Sequence, residues 1–545
     1  MTGPSRGLTH FGQIGAAALL ASGCLLTNPL PDTGAGGSSG QMNSSGSGGS
    51  ASTGRCTSHK QCTDDHAGDP YICRASDGQC VPLVSTACPL PSNLQYATDP
   101  NAIFVGAFTD LNKSELENSS AVYAYRLALD EFNNLGGLEG GPNGARRPLV
   151  AVMCYDDPEY IESAMQFLTE ELQIRAIVAG FRQPKDLVTS FEKYATGKVF
   201  FLSPYGGSSD LRQLNDNGLV WSLLGSPGDF AEIYAALLER LERFVRKDRS
   251  FEASRELKVV TFQTQDSFSS ELANAVSPGL RFNQRSLDAN LDAGTYLPLS
   301  FDAATEGQPD LDAKVKSILD FRPDVVLSFA GPAFSGGRQR GVVGQLQTQW
   351  GSDTPRPFYV LSPLNDGSLE SDDVAGFIES EALIHPEAQP YRRFLGIGSG
   401  LSSDPTLRNE FNVRLATHYA RAPRGTEQFY DAMYLLGYAI YGAGSVSNVQ
   451  GPDIARGMKR LLNGPSFDIG PKRMGQVISV LKVPEGELSL KGTLGPPNFD
   501  VASGMRIDPG SVFCYDENAV LERYALTYDL DTHQLSGTFP CFDDF

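Results

Sequence analysis

The sequence predicts an α/β chain with two successive doubly wound parallel sheets, preceded by a small disulfide-rich module. Three observations carry that prediction. From residue 102 onward, short apolar runs alternate with stretches of helical periodicity, the pattern of βαβ units laid into a parallel sheet. The alternation restarts at Leu257, so a second sheet follows the first. Five of the nine cysteines crowd between residues 56 and 88, ahead of the first strand.

The 545 residues suffice for a few large domains, and 41% hydrophobic with 10% aromatic residues supply their cores. Lys and Arg total 44 against 64 Asp and Glu, a formal charge of −20. That sign excludes nucleic acid and electrostatic docking on anionic lipid, which both need clustered cations. No apolar run reaches the roughly 18 residues of a membrane-spanning helix.

Taken in order, residues 1–23 read as a secretory signal: Arg6, an apolar run from Ile14 to Ala21, then Ser22-Gly23 before Cys24. Small residues ahead of a cysteine resemble the lipobox of bacterial lipoproteins. The resemblance implies cleavage before Cys24 and a diacylglycerol on its sulfur, although Ala21 stands where leucine is usual. The alternative is an ordinary signal with an incidental cysteine. Leu25 lacks the aspartate that retains lipoproteins at the inner membrane in some bacteria, which points to the outer membrane. Residues 24–55 form a Gly/Ser-rich tether with no apolar periodicity.

Residues 56–88 form the cysteine module. In an exported chain, Cys56, Cys62, Cys73, Cys80 and Cys88 imply a disulfide framework, with two bridges among the first four and three ways to pair them. A zinc site with His59 and His66 is the rival, but no CxxC pair is present, so no metal is assigned. The phrases around these cysteines resemble short cysteine-rich repeats of exported bacterial lipoproteins, and the module reads as a stapled spacer or a contact surface.

The first sheet takes its strands from Ala102–Phe108, Pro148–Met153, Ala176–Gly180 and Val199–Ser203, with helices at Ala121–Asn133 and Glu162–Leu172. The second takes Leu257–Phe262, Asp324–Phe329 and Phe358–Leu361. Gly396-Ile-Gly-Ser-Gly400 reads as a loop. Ligands of such sheets bind beyond the carboxyl ends of the strands. No HExxH, no phosphate-binding Gly-x-x-x-x-Gly-Lys and no Gly-x-Ser-x-Gly elbow occurs, and the six histidines are scattered, so no catalytic residue and no cofactor is assigned.

Several weak landmarks recur in a fixed order: Gly106-Ala-Phe-Thr109, Asn133-Asn-Leu-Gly-Gly137, Tyr155-Asp-Asp157, Gly180, Ser203-Pro204, Asp266-Ser-Phe268, Gly331 and Tyr430-Asp-Ala-Met433. Together they resemble the type I periplasmic binding proteins, the branched-chain amino-acid-binding family, over about residues 100–540. The resemblance implies two lobes joined by three crossings with the ligand clamped between them. Lobe one then holds 89–222 and 380–470, and lobe two 223–379 and part of 471–545, the remainder being a C-terminal extension. Residues 284–310 and 390–410 read as insertions. Cys514 and Cys541 form a bridge pinning the tail, and Cys88 with Cys154 is a further pair, unless Cys154 is a buried thiol.

By the same resemblance, lobe one meets the ligand through Arg182, Gln183, Ser203, Tyr205, Gly207 and Ser208, and lobe two through Phe268 and Asn365. Arg182 is a fork suited to a carboxylate or other anion, and the Gly206-Gly207 pair lets backbone amides come close. Bland alternatives stand beside these: a surface ion pair, a turn, core aromatics. The family's serine run after Gly180 is Phe-Arg-Gln-Pro here, and Leu364 stands nearest to where its lobe-two acid falls. The expected function is capture of a small polar solute, amino-acid-like or another anion, for an ABC permease or for sensing. The alternative is a non-transport interaction or regulatory lipoprotein with an envelope partner. Either way, the membrane is met only through the lipid.

Overall fold

The computed structural model describes residues 55–111, 119–139, 144–181, 183–252, 254–336, 341–351, 355–365, 390–398, 406–419, 425–444, 449–508, 510–515 and 521–537. Residues 1–54, Cys24 among them, lie outside the described residues. Among the described residues no helix is long and apolar enough to cross a membrane.

The module opens with helix His59–Asp65, capped by the Ser58 hydroxyl accepting the Gln61 N–H. A hairpin of β1 (Tyr71–Arg74) and β2 (Gln79–Pro82) follows. The bridges are Cys56–Cys73 and Cys62–Cys80, one of the three pairings left open by the sequence. The sulfurs of Cys56, Cys62 and Cys73 lie close enough to hold a metal but are spent in the bridges. His59 Nδ1 accepts the Cys73 N–H at 3.0 Å, and burial lowers its pKa against the opposing charge of Asp99. Nor is the module a loose spacer. Ile72, Val81, Leu83 and Ala87 share one core with the first sheet. Cys88 is bonded to Cys154, and β3 (Leu90–Ser92) pairs antiparallel with the edge of that sheet.

The first sheet continues with β4 (Ile103–Thr109), β5 (Leu149–Tyr155), β6 (Ala176–Val178), β7 (Phe200–Gly206) and β8 (Val220–Leu224). These five are parallel, because helices cover both faces. That is why β5 reads as an unbroken apolar run: all seven residues are buried. The second sheet is built from β9 (Val259–Thr264), then, after a small hairpin of β10 (Arg281–Phe282) and β11 (Arg285–Ser286), β12 (Tyr296–Phe301), β13 (Val325–Ser328), β14 (Phe358–Leu361) and β15 (Phe394–Gly398).

Beyond β15, a short pair forms from β16 (Ser466–Asp468) and β17 (Ser489–Lys491). Next, β18 (Phe499–Asp500) and β19 (Met505–Arg506) complete the first sheet beside β8. Finally β20 (Ser511–Tyr515), β21 (Leu521–Asp529) and β22 (Gln534–Ser536) run antiparallel off β15. The orders are β18-β19-β8-β7-β6-β4-β5-β3 and β12-β9-β13-β14-β15-β20-β21-β22.

Three segments therefore differ from expectation. Residues 284–310 are no insertion, since they hold the sheet strand β12. The glycine-rich run at 396 is strand, not loop: a Cβ at Gly396 would stand 2.1 Å from the Phe513 ring, so glycine makes room for an aromatic from β20. That strand also gives residues 380–470 a place in the second sheet, whereas helix Glu427–Gly442 packs in the first-lobe core as expected. Cys514 is disulfide-bonded; Cys541, expected as its partner, lies outside the described residues.

The chain leaves the first sheet at Gly225 and passes between the sheets again at 507–510. A Cβ at Gly225 would come within 2.8 Å of the Asp508 side chain, so the missing side chain lets these two crossings touch.

Candidate functional site

In each sheet the chain turns from one flank to the other at one point: between β4 and β6 in the first, between β9 and β13 in the second. Ligands of doubly wound sheets bind outside the carboxyl ends of the strands at such points. At the first, Gly180 packs so tightly on β4 that a Cβ would meet the Phe108 carbonyl oxygen at 2.1 Å. This close approach carries the loop over the end of β4, where Phe181 rests on Phe108 with ring centroids 4.5 Å apart. Gln183 follows. At the second point, Asp266 caps helix Ser267–Val276, accepting the Ser269 N–H and the Thr264 hydroxyl. Ser267, the first residue of that helix, donates its hydroxyl to Gln183 Oε1 at 3.1 Å. The two switch points thus meet directly.

A second bond joins the lobes one turn further along the same helix. Glu271 Oε2 accepts the Ser209 N–H at 3.1 Å, from the start of the short helix Ser209–Gln213. Burial raises the Glu271 pKa, the backbone bond opposes the rise, and Asp210 adds to it. Beside this bond lies a cavity of about 580 Å³ with walls from both lobes, among them Arg212, Ser226, Asp229, Glu271 and Asn274. Its arginine is already engaged, donating to the Ser226 hydroxyl at 2.8 Å and to Asp229 at 2.6 Å.

The remaining expected site residues fall as follows. Arg182 lies outside the described residues. Ser203 is buried and accepts the Tyr205 N–H. Tyr205 is half-buried, its ring edge-on to Phe429, which in turn meets Tyr125. The buried Tyr125 phenol is pushed well above its ordinary pKa by burial, with Tyr205 and Asp156 adding to the effect. Gly207 has its open side filled, since a Cβ there would overlap the Met505 methyl. Ser208 caps helix Ser209–Gln213 through the Leu211 N–H. Phe268 packs against the second-lobe core. Asn365 is fully buried and internally bonded: its carbonyl oxygen accepts the Ser362 N–H and hydroxyl, and its amide donates to Ser335 at 2.7 Å.

Sequence reasoning reached Gln183 but missed Ser267 and Glu271. Ser267 lies within the Asp266-Ser-Phe268 phrase and Glu271 three residues beyond it, yet their partners come from the other lobe. Only the register of two sheets brings them together.

A further cavity of about 550 Å³ lies at the opposite edge of the second sheet, where Lys258, Thr295 and Asp324 precede β9, β12 and β13. Its charges pair locally: Arg249 and Arg255 on Asp324, Glu256 on Arg285. Arg249 and Arg322 are also the C-cap residues of their helices and Lys258 donates to the Phe321 carbonyl, and helix carboxyl ends attract cations without any ligand.

This arrangement is the type I periplasmic-binding-protein fold. The chain is similar in structure to a fatty acid ABC transporter substrate-binding protein from Thermomonospora curvata, with a TM-score of 0.52, 14% identity, and 81% of this chain and 96% of that one covered. It is also similar to the branched-chain amino acid transporter substrate-binding protein of Streptococcus pneumoniae, determined with isoleucine: TM-score 0.50, 14% identity, 77% and 99% covered. No family model matches the sequence, and no curated protein matches it.

Proposed function

We propose that the chain is an exported solute-binding protein that closes two lobes around a small polar solute, serving an ABC-type permease or a sensor. The carrying observation is the Ser267–Gln183 bond, which unites the switch points of the two sheets where such sheets take ligands. A solute that touches both lobes only when they are closed shifts the open–closed equilibrium toward closure. The names of the structural neighbours, both substrate-binding proteins, support the reading. Lipidation at Cys24, with residues 24–55 as tether, belongs to the same proposal, as do an envelope location and a binding rather than catalytic role.

One set of observations favours the second reading, an interaction or regulatory lipoprotein. Gly207, Ser208 and Asn365 are engaged with their own chain rather than turned to a solute.

A thermal-shift screen of the full chain tests this, with a panel of amino acids, short peptides, dicarboxylates, aromatic acids, amides, polyamines and sugars. A ligand at 100 times its dissociation constant adds about 2.7 kcal/mol of stability, enough to move the melting point by degrees. The expected outcome is at least one such shift. A blank panel on well-folded protein overturns solute binding and leaves the partner-binding reading.

A further inference from the structure

Glu271 stands in an unusual position for an exported protein of charge −20. Its carboxylate is half-buried in the wall of the 580 Å³ interlobe cavity, and its hydrogen-bonding partner is Ser209, through both backbone N–H and side chain. Among the described residues no cation pairs with it. The one arginine of the cavity is bound to Asp229 and Ser226, so that pair is neutral as a unit. The nearest further charge, Asp210, has the same sign as Glu271. The wall therefore carries an uncompensated negative charge, with neutral hydrogen-bonding groups around it in Ser226 and Asn274.

Withdrawing a carboxylate from water without a partner is costly, and a cation placed against it recovers that cost. Burial raises the Glu271 pKa and Asp210 adds to the rise, while the Ser209 hydrogen bonds oppose it. The cavity lies within the size range of small-ligand sites and is shared by both lobes and the first crossing, so whatever fills it touches all three.

We infer that this cavity is a binding site for the cationic end, amine or guanidinium, of a small organic solute, with Glu271 as its counter-charge. The inference rests on the solute-binding reading and specifies its ligand. The site lies beside the first crossing and helix Ser209–Gln213, into which the Ser203–Ser208 loop named by the sequence leads. It also supplies from helix Ser267–Val276 a lobe-two acid, where Leu364 offers none.

Calorimetric titration of the full chain with putrescine and agmatine tests it, with sodium chloride at matched ionic strength as the blank. Wild type is expected to bind at least one probe saturably. Glu271→Gln, which keeps an acceptor for the Ser209 N–H, is expected to weaken that binding by about tenfold or more. Its melting temperature without ligand reports that it folds. If folding is impaired, wild-type titrations at decreasing pH replace it, and amine affinity must fall as the carboxylate protonates. Amine binding that Glu271→Gln leaves unchanged overturns the inference. Saturable binding of only neutral or anionic members of the screening panel overturns the cation assignment while solute binding stands. No binding by any panel member overturns both.

Discussion

Asp431 shows what one residue can contribute in such a frame. It lies in helix Glu427–Gly442, buried at 3% exposure, and its carboxylate accepts the Thr493 N–H and hydroxyl and the Leu494 N–H. Those bonds favour the charged form, but burial outweighs them and pushes its pKa up to about 6. A carboxyl whose folded pKa exceeds its unfolded value holds its proton more tightly when folded. Its contribution to stability is therefore full below about pH 4 and is lost as pH rises to about 6. A shift of this size corresponds to roughly 3 kcal/mol. Urea unfolding between pH 4 and 7 should show the difference between wild type and Asp431→Asn closing or reversing toward neutral pH. A difference independent of pH refutes the assignment. The variant also leaves the Leu494 N–H facing an amide, at a cost of about 1–3 kcal/mol. Single residues were also the least legible part of the sequence. Asn365, a buried structural amide, and Gln183, a cleft residue, look alike until their partners are known. Gly396 looks like loop because the aromatic that needs its space comes from a strand more than 100 residues later.

At the scale of elements, the parallel strands β4 to β7, β9, β13 and β14 were easy to read, since burial on both faces leaves mostly apolar residues. Strands β12 and β15 were not. Strand β12 is a sheet edge with mixed burial and a proline, and β15 is broken up by glycine. The edge strand β3 is another short element, three residues long, and it depends on its covalent tie. The Cys88–Cys154 bridge closes a loop of 66 residues. Opening a bridge in that range typically costs about 2–5 kcal/mol. The Cys88→Ala/Cys154→Ala variant should lose stability of that order, and β3 should exchange its amide hydrogens faster than β4. Unchanged exchange in β3 would show that the shared core alone holds the module.

For the whole molecule, the lobes are tied by direct bonds as well as by the crossings. If the Ser267–Gln183 bond contributes to closure, the two side chains are coupled. A double-mutant cycle with Gln183→Ala and Ser267→Ala should give a coupling of about 0.5–1.5 kcal/mol in unfolding, and small-angle scattering should report a larger radius for each single variant. Zero coupling with unchanged radius would mean that the lobes hold without it. Two lobes and their ligand edge were legible from the order of strands and landmarks. Which side chains meet across them was not, because that depends on how two separately folded surfaces align.

The attachment of the module has a mechanical consequence. Residues 55–92 share a core with the first sheet, are bridged to β5 and pair with its edge, while the crossings at Gly225 and Asp508 lie elsewhere in the chain. A pull on the chain ahead of Arg55 is thus borne by a disulfide and a single sheet. Where the chain is held at that end, the load runs into the first lobe without passing through the linking segments, and any movement between the lobes is movement of the second.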